Sequence, residues 1–307
     1  MRHRILAAVA AAGIATTGLV AASCSTDKGK PDIVVTTNIL GDVVTRLVGD
    51  TADVRVLMKP DADPHSFGIS AKEAGDVENA DLVIANGLGL EEGLSSTIDS
   101  ARDRGVDVLE VGEEIDPLPY ASGTGAADGA KDPHFWTDPG RMIDATGIIE
   151  DRMTDDLDDG EADRVHAAAA SYRSELEDLD REVTDLLGKV PEPRRKLVTN
   201  HHVFGYLADR FNYQVIGAVI PGGTTLASPS AADLRDLTTT IRDNRVPAIF
   251  ADSSRPSRLA DVLASEAGLA VKVVPLFSES LTGPDGEAGN YIDMQRTNAE
   301  RISDALA

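Results

Sequence analysis

From Glu161 to Leu187 the chain runs without a glycine or proline, and Leu176, Leu179, Val183 and Leu186-Leu187 recur among charges at helical spacing. At 1.5 Å per residue such a helix spans about 40 Å, the length of a small lobe. Gly188 and Pro191-Glu192-Pro193 end it. On both sides short β-branched runs alternate with amphipathic stretches, which predicts an α/β fold with mostly parallel sheets. Before the helix the expected strands are Ile33–Thr37, Val54–Met58, Asp81–Asn86 and Val106–Val111; after it they are Lys196–Asn200, Gln214–Val219, Ala248–Asp252 and Val271–Leu276. Helical patterns cover Ile39–Val48, Ala71–Glu78, Glu91–Arg104, Phe204–Arg210, Ala231–Asp243, Arg258–Glu266 and Tyr291–Leu306. The expectation is two (βα) lobes, each with a four-stranded sheet, residues 32–158 and 191–307, joined by a rigid helix over 159–190. Tyr120–Lys131, rich in Ala, Gly and Ser, reads as a flexible loop.

The N-terminus indicates a compartment. Arg2 and Arg4 precede an uncharged, alanine-rich run over Ile5–Val20, and Ala21-Ala22-Ser23 leads into the single cysteine, Cys24. A basic start, a short apolar stretch and small residues read as a secretory signal over 1–23. Cys24 stands where a bacterial lipobox places its acylated cysteine, and 24–31 reads as a polar tether from a lipid anchor. One cysteine excludes an intrachain disulfide and any zinc cage built from thiolates. The net charge of −23 repels phosphate backbones and argues against nucleic-acid binding.

Six histidines sort by context. His3 leaves with the signal, and His166 lies on the polar helix as a solvated imidazole. His65 and His134 each stand in an Asp-Pro-His tripeptide, at Asp63-Pro64-His65 and Asp132-Pro133-His134. Proline fixes the local backbone and the preceding Asp can accept nearby amides, so the imidazole is aimed in advance. His201 and His202 directly follow a strand, and neighbouring residues there point to opposite faces, so one of the two faces the crevice. Ligands in open α/β sheets bind beyond the carboxyl ends of strands, where these loops converge. Three imidazoles with one carboxylate make a tetrahedral set of the kind Zn2+ prefers. Glu279 and Asp252 both sit at strand ends able to supply that carboxylate. Asn86-Gly87-Leu88-Gly89 lacks a dinucleotide fingerprint and reads as a strand-to-helix turn, and neither a nucleophile elbow nor a His-Glu-x-x-His helix occurs.

Several blocks in order carry a resemblance. They are Thr36-Thr37-Asn38-Ile39-Leu40-Gly41-Asp42, the two Asp-Pro-His tripeptides, the run Ala80–Glu91, Phe135-Trp136-Thr137-Asp138-Pro139, and Phe204-Gly205-Tyr206. From about residue 32 onward the chain resembles the ZnuA-like (cluster A-I) metal-binding lipoproteins of bacterial ABC transporters. The resemblance implies metal ligands at His65, His134, His201 and Glu279, the last where Asp is commoner. It also implies two lobes joined by a long helix. His202 stands where the family often has Asp, and the loop before His134 lacks the histidine-rich run of many zinc members.

The function so implied is extracytoplasmic capture of Zn2+ and its delivery to a membrane permease driven by an ATPase, with no enzymatic step. A metallochaperone is a candidate loading partner, and the protein is expected to be a monomer. Alternatives are a manganese-binding or adhesin-type lipoprotein, and a zinc hydrolase if Glu279 leaves a ligand position to water. Asp63 and Asp132 are expected to orient the histidines, the stiff helix to allow only small tilts, and zinc to weaken below about pH 6.

Overall fold

The computed structural model describes residues 29–307 except 122, 123, 128, 156, 269 and 270. The expected signal and Cys24 lie outside the described residues. Among those described, no helix is long and apolar enough to cross a membrane.

The first lobe runs β1 (Asp32–Val35), α1 (Asn38–Val48), β2 (Asp53–Val56), α2 (Ala71–Val77), β3 (Leu82–Ala85), α3 (Ser95–Asp103), β4 (Asp107–Glu110), α4 (Val111–Glu114) and α5 (Pro139–Thr154). Then comes α6 (Asp159–Gly188). The second lobe runs β5 (Lys196–Thr199), α7 (Gly205–Phe211), β6 (Gln214–Ala218), α8 (Ala231–Asn244), β7 (Ala248–Asp252), α9 (Arg258–Glu266), β8 (Lys272–Leu276) and α10 (Tyr291–Leu306). Both sheets are parallel and share one topology, β2-β1-β3-β4 and β6-β5-β7-β8, with the first strand of each lobe inside and the second at an edge. That order places the switch in winding beside β1 and β5, where a crevice opens at the carboxyl ends. All eight strands fall where the β-branched runs predict them.

Local chemistry starts the helices. Ser70 with Glu73 and Ser230 with Asp233 form capping boxes on α2 and α8. Asp158 accepts the Glu161 amide at the start of α6, and Asp138 accepts the Gly140 amide ahead of Pro139 in α5.

The long helix is more than a strut. Val165, Ala169, Tyr172, Leu176, Leu179, Val183 and Leu187 form one buried stripe at spacings of three and four. That stripe belongs to a continuous core reaching from Ile33 and Val35 of β1 to Leu197 of β5, Phe250 of β7 and Leu276 of β8. Helices α1 and α5 of the first lobe and α10 of the second pack against it. Burial of each larger side chain contributes about 1.5–3 kcal/mol, so tilting one lobe on the helix disturbs a shared core. The outer face of each sheet has its own apolar cluster, under α2 and α3 in one lobe and α8 and α9 in the other.

The segment expected to be a flexible loop is tied at its base. Pro119 and Lys131 form an antiparallel bridge, and the Tyr120 amide donates to Ala130 O (3.0 Å). It also reaches the second lobe, because Thr124 O accepts the Gly222 amide and the Tyr120 hydroxyl donates to Gly223 O.

Candidate metal centre

His65 lies on the connection after β2, His134 on the long connection after β4, His201 just after β5 and Glu279 just after β8. All four are buried at the mouths of the two facing sheets. One donor atom from each lies within 4.8 Å of every other. His134 Nε2 is 3.3 Å from His65 Nε2 and 3.4 Å from His201 Nε2. Glu279 Oε1 is 3.0 Å from His201 Nε2 and 3.8 Å from His134 Nε2, and Oε2 is 3.8 Å from His65 Nε2. A tetrahedral ion with ligands at about 2.0–2.1 Å has edges of about 3.3 Å, so these separations suit one small cation.

The two Asp-Pro-His turns begin alike. Asp63 Oδ1 accepts the His65 amide (2.9 Å), and Asp132 Oδ1 accepts the His134 amide (3.0 Å). Beyond that they diverge. Asp132 Oδ1 also pairs with His134 Nδ1 at 2.7 Å; with Nδ1–H donating, the Nε2 lone pair is left facing the cluster. Asp63 makes no bond to its own histidine ring: its Oδ2 accepts the Thr225 hydroxyl (2.6 Å) and the Arg255 guanidinium, both from the other lobe. Hence Asp132 holds a ring, as expected, and Asp63 holds only the backbone of His65. The Nδ1 atoms of His65 and His201 are buried without a partner, as are both carboxylate oxygens of Glu279. Unpaired buried donors and acceptors are costly, and a bound cation would satisfy those of Glu279.

The surrounding residues explain the sequence blocks. Tyr206 donates its hydroxyl to Asp132 O (2.8 Å) and accepts the Leu118 amide (3.0 Å). A Cβ on Gly205 would collide with Asp132 Oδ2, so the Phe-Gly-Tyr block lets α7 approach the carboxylate that holds His134. Asn86 donates to Pro133 O (3.0 Å), and buried Glu91 holds the Asn86 amide (2.7 Å) and the Thr36 hydroxyl (2.6 Å). Trp136 donates to Ser278 O (2.9 Å), while Tyr291 and Gln295 of α10 both donate to Trp136 O (2.8 Å each). On the Glu279 side, Asn38 donates to Ser280 Oγ (2.8 Å) and accepts the Leu281 amide (3.0 Å). These positioning residues carry no chemistry of their own, and sequence reasoning missed their individual roles.

The remaining candidates lie elsewhere. Asp252 is buried but accepts the hydroxyls of Ser254 and Ser278, so Glu279 is the carboxylate in the cluster. His202 faces away, lining a cavity of about 910 Å³ between residues 118–121 and the open edge of β6. His166, read as solvated, is half exposed and pairs with Glu150 of α5 (2.7 Å).

Burial dominates the electrostatics. His65 is pushed down to about 2 by burial and by His134 and His201, and His201 is pushed down to about 4 by burial. The imidazoles are therefore neutral, as metal ligation requires. Burial raises Glu279 well above the carboxylate range, with Asp252, Asp63 and Asp132 adding to it, and pushes Asp132 up to about 7. Burial also raises Asp63, but hydrogen bonds from Thr225, the His65 amide and Arg255 together hold it below its ordinary value.

The profile of the family described as "Zinc-uptake complex component A periplasmic" (ZnuA) matches residues 33–305. The zinc-binding protein TroA of Treponema pallidum is 31% identical over 317 aligned residues, covering 100% of this chain and 99% of that protein. The manganese-binding lipoprotein MntA of Halalkalibacterium halodurans is 25% identical, covering 94% and 95%. The solved structure of Treponema pallidum TroA superposes with a TM-score of 0.83 at 28% identity, covering 91% of this chain and all of that one. The chain thus belongs to the ZnuA family, the extracytoplasmic substrate-binding components of metal ABC transporters, which bind cargo for a membrane permease and its ATPase and are not enzymes.

Proposed function

We propose that this protein captures Zn2+ and presents it for uptake, with His65, His134 and His201 ligating through Nε2 and Glu279 through its carboxylate. The observation that carries this reading is the convergence of three neutral imidazole nitrogens and one carboxylate within 4.8 Å of one another, with the nearest pairs at tetrahedral edge lengths. Manganese, the cargo named for one relative, favours oxygen-rich shells, and three nitrogens in a closed buried site favour zinc. Metal ligated by His65 and His134 from one lobe and by His201 and Glu279 from the other closes the cleft. Because α6 shares one core with both lobes, exchange proceeds by small tilts and loop movements. Acylation of Cys24 would tether a monomeric protein to the membrane face beside its permease.

The test is metal content after purification without chelator, with His201→Ala in parallel. Stoichiometric zinc in the wild type and its loss in the variant are expected. Manganese retained in preference to zinc, or zinc retained by the variant, would overturn the assignment.

A further inference from the structure

The loop after β6 crosses the cleft. Among its contacts with the first lobe, Tyr120 donates to Gly223 O (3.0 Å) and Thr224 donates to Glu92 Oε1 at an exposed site (2.9 Å). The buried contact is Thr225 Oγ1 to Asp63 Oδ2 at 2.6 Å. The same carboxylate oxygen takes the guanidinium of Arg255, on the loop after β7. Its other oxygen holds the amide of His65. One carboxylate therefore ties the backbone of a proposed ligand to two loops of the opposite lobe, with Asp63 and Thr225 buried. Neither Thr225 nor Arg255 is among the four converging side chains.

We propose that Asp63, Thr225 and Arg255 form an interlobe latch that sets how fast bound metal leaves, without determining which atoms ligate it. Opening the cleft must break the Thr225 hydrogen bond and the Arg255 pair and exchange both for contacts with water, which costs part of their closed-state stabilisation. The latch therefore weights the population toward the closed form. Three features separate it from the Asp132 contact. It spans the lobes, it leaves the His65 ring untouched, and its cationic partner is partly open to solvent, at 34% side-chain exposure. Thr225 and Arg255 are thus positioning residues.

This inference rests on the proposed metal site, and one experiment separates the two. Wild type, Thr225→Val, Arg255→Ala, and the conservative Thr225→Ser and Arg255→Lys are loaded with Zn2+. Release into excess chromogenic chelator is timed by stopped flow, and the Co2+-loaded forms are compared by visible absorption. Thr225→Val and Arg255→Ala should each release zinc about tenfold faster or more, the order a charge-assisted hydrogen bond confers. Their Co2+ spectra should match wild type, because the ligands are unmoved. Thr225→Ser and Arg255→Lys should recover most of the slow release. Release within twofold of wild type in both truncations overturns the latch while leaving the metal site standing. A Co2+ spectrum altered in step with the rate also overturns it, because the residues would then be shaping ligation. A wild-type protein that holds neither metal overturns the site, and the latch with it.

Discussion

The chain contains the same tripeptide twice, in two connections of one lobe, and the two copies work differently. In both, the Asp accepts the amide of the His two residues on, so the motif fixes the backbone turn each time. What differs is the rest of the carboxylate. At 132 it bonds the ring of its own histidine and its Oδ2 fills the space a Cβ on Gly205 would need, while the Tyr206 hydroxyl holds the backbone carbonyl of the same residue. At 63 it points across the cleft to Thr225 and Arg255. A short motif therefore specifies local geometry, and the packing around it decides whether the acid orients a ligand or joins two lobes.

The largest effects come from the rings themselves. His65→Ala and His134→Ala should each lower zinc affinity beyond the roughly 100-fold that changes outside the ligand set reach, as measured by competition titration. If one of them leaves affinity within tenfold of wild type, the cluster is not a four-ligand site and the two turns are not equivalent in their histidines.

Next is the contrast between the acids. Asp132→Ala frees the His134 tautomer and should cost about 10–100-fold in affinity, with a shifted Co2+ spectrum. Asp63→Asn keeps an acceptor for the His65 amide but removes the charge facing Arg255, so it should speed release and leave the spectrum as it was. Equal spectral changes in both would erase the distinction.

Proton coupling should be smaller, about tenfold in affinity for each pH unit per proton displaced. The sequence alone places the weakening below about pH 6, near the ordinary histidine value. The buried site moves it. Burial holds His65 and His201 far below that value and raises Glu279 and Asp132, so the protons that compete with metal sit on carboxyl groups, not on the imidazoles. Metal favours the ionised carboxylate; affinity therefore falls as pH drops through the raised carboxyl values and levels off above them. Calorimetry in buffers of different ionisation enthalpy should show proton release on metal binding, reduced in Glu279→Gln. Uptake of protons, or none, would contradict this.

Much of this was legible in the chain. The strands were visible because β-branched runs are short and separated by turn residues, and the long helix because nothing interrupts its apolar stripe. Helix α5 was missed, although Asp138-Pro139 is a good start signal, because Gly140 and Gly147 and its charged face blur the periodicity. The four converging side chains were nameable through their strand-end positions and the resemblance. Strand-end position alone left Glu279 and Asp252 both open; the resemblance chose Glu279, and the physical reason, that Ser254 and Ser278 occupy Asp252, is visible only in three dimensions. The pairing of Asp63 with Arg255, 192 residues apart, leaves no local pattern, because it depends on how two sheets face each other.

The smallest effect should sharpen the comparison most finely. Tyr206 touches the second turn and not the first, through a hydroxyl that serves both Asp132 O and the Leu118 amide. Tyr206→Phe keeps the buried ring and strands those two backbone groups, so denaturant unfolding should show a loss of about 1–3 kcal/mol. Asp132 keeps both of its bonds to His134, so zinc affinity should change by only about two- to fivefold, a fraction of what one hydrogen bond is worth. Zinc release should stay close to wild type, because Asp63, Thr225 and Arg255 are untouched. If Tyr206→Phe instead released zinc as fast as Arg255→Ala, the two turns would share one mechanical unit, and the division of labour between them would fail.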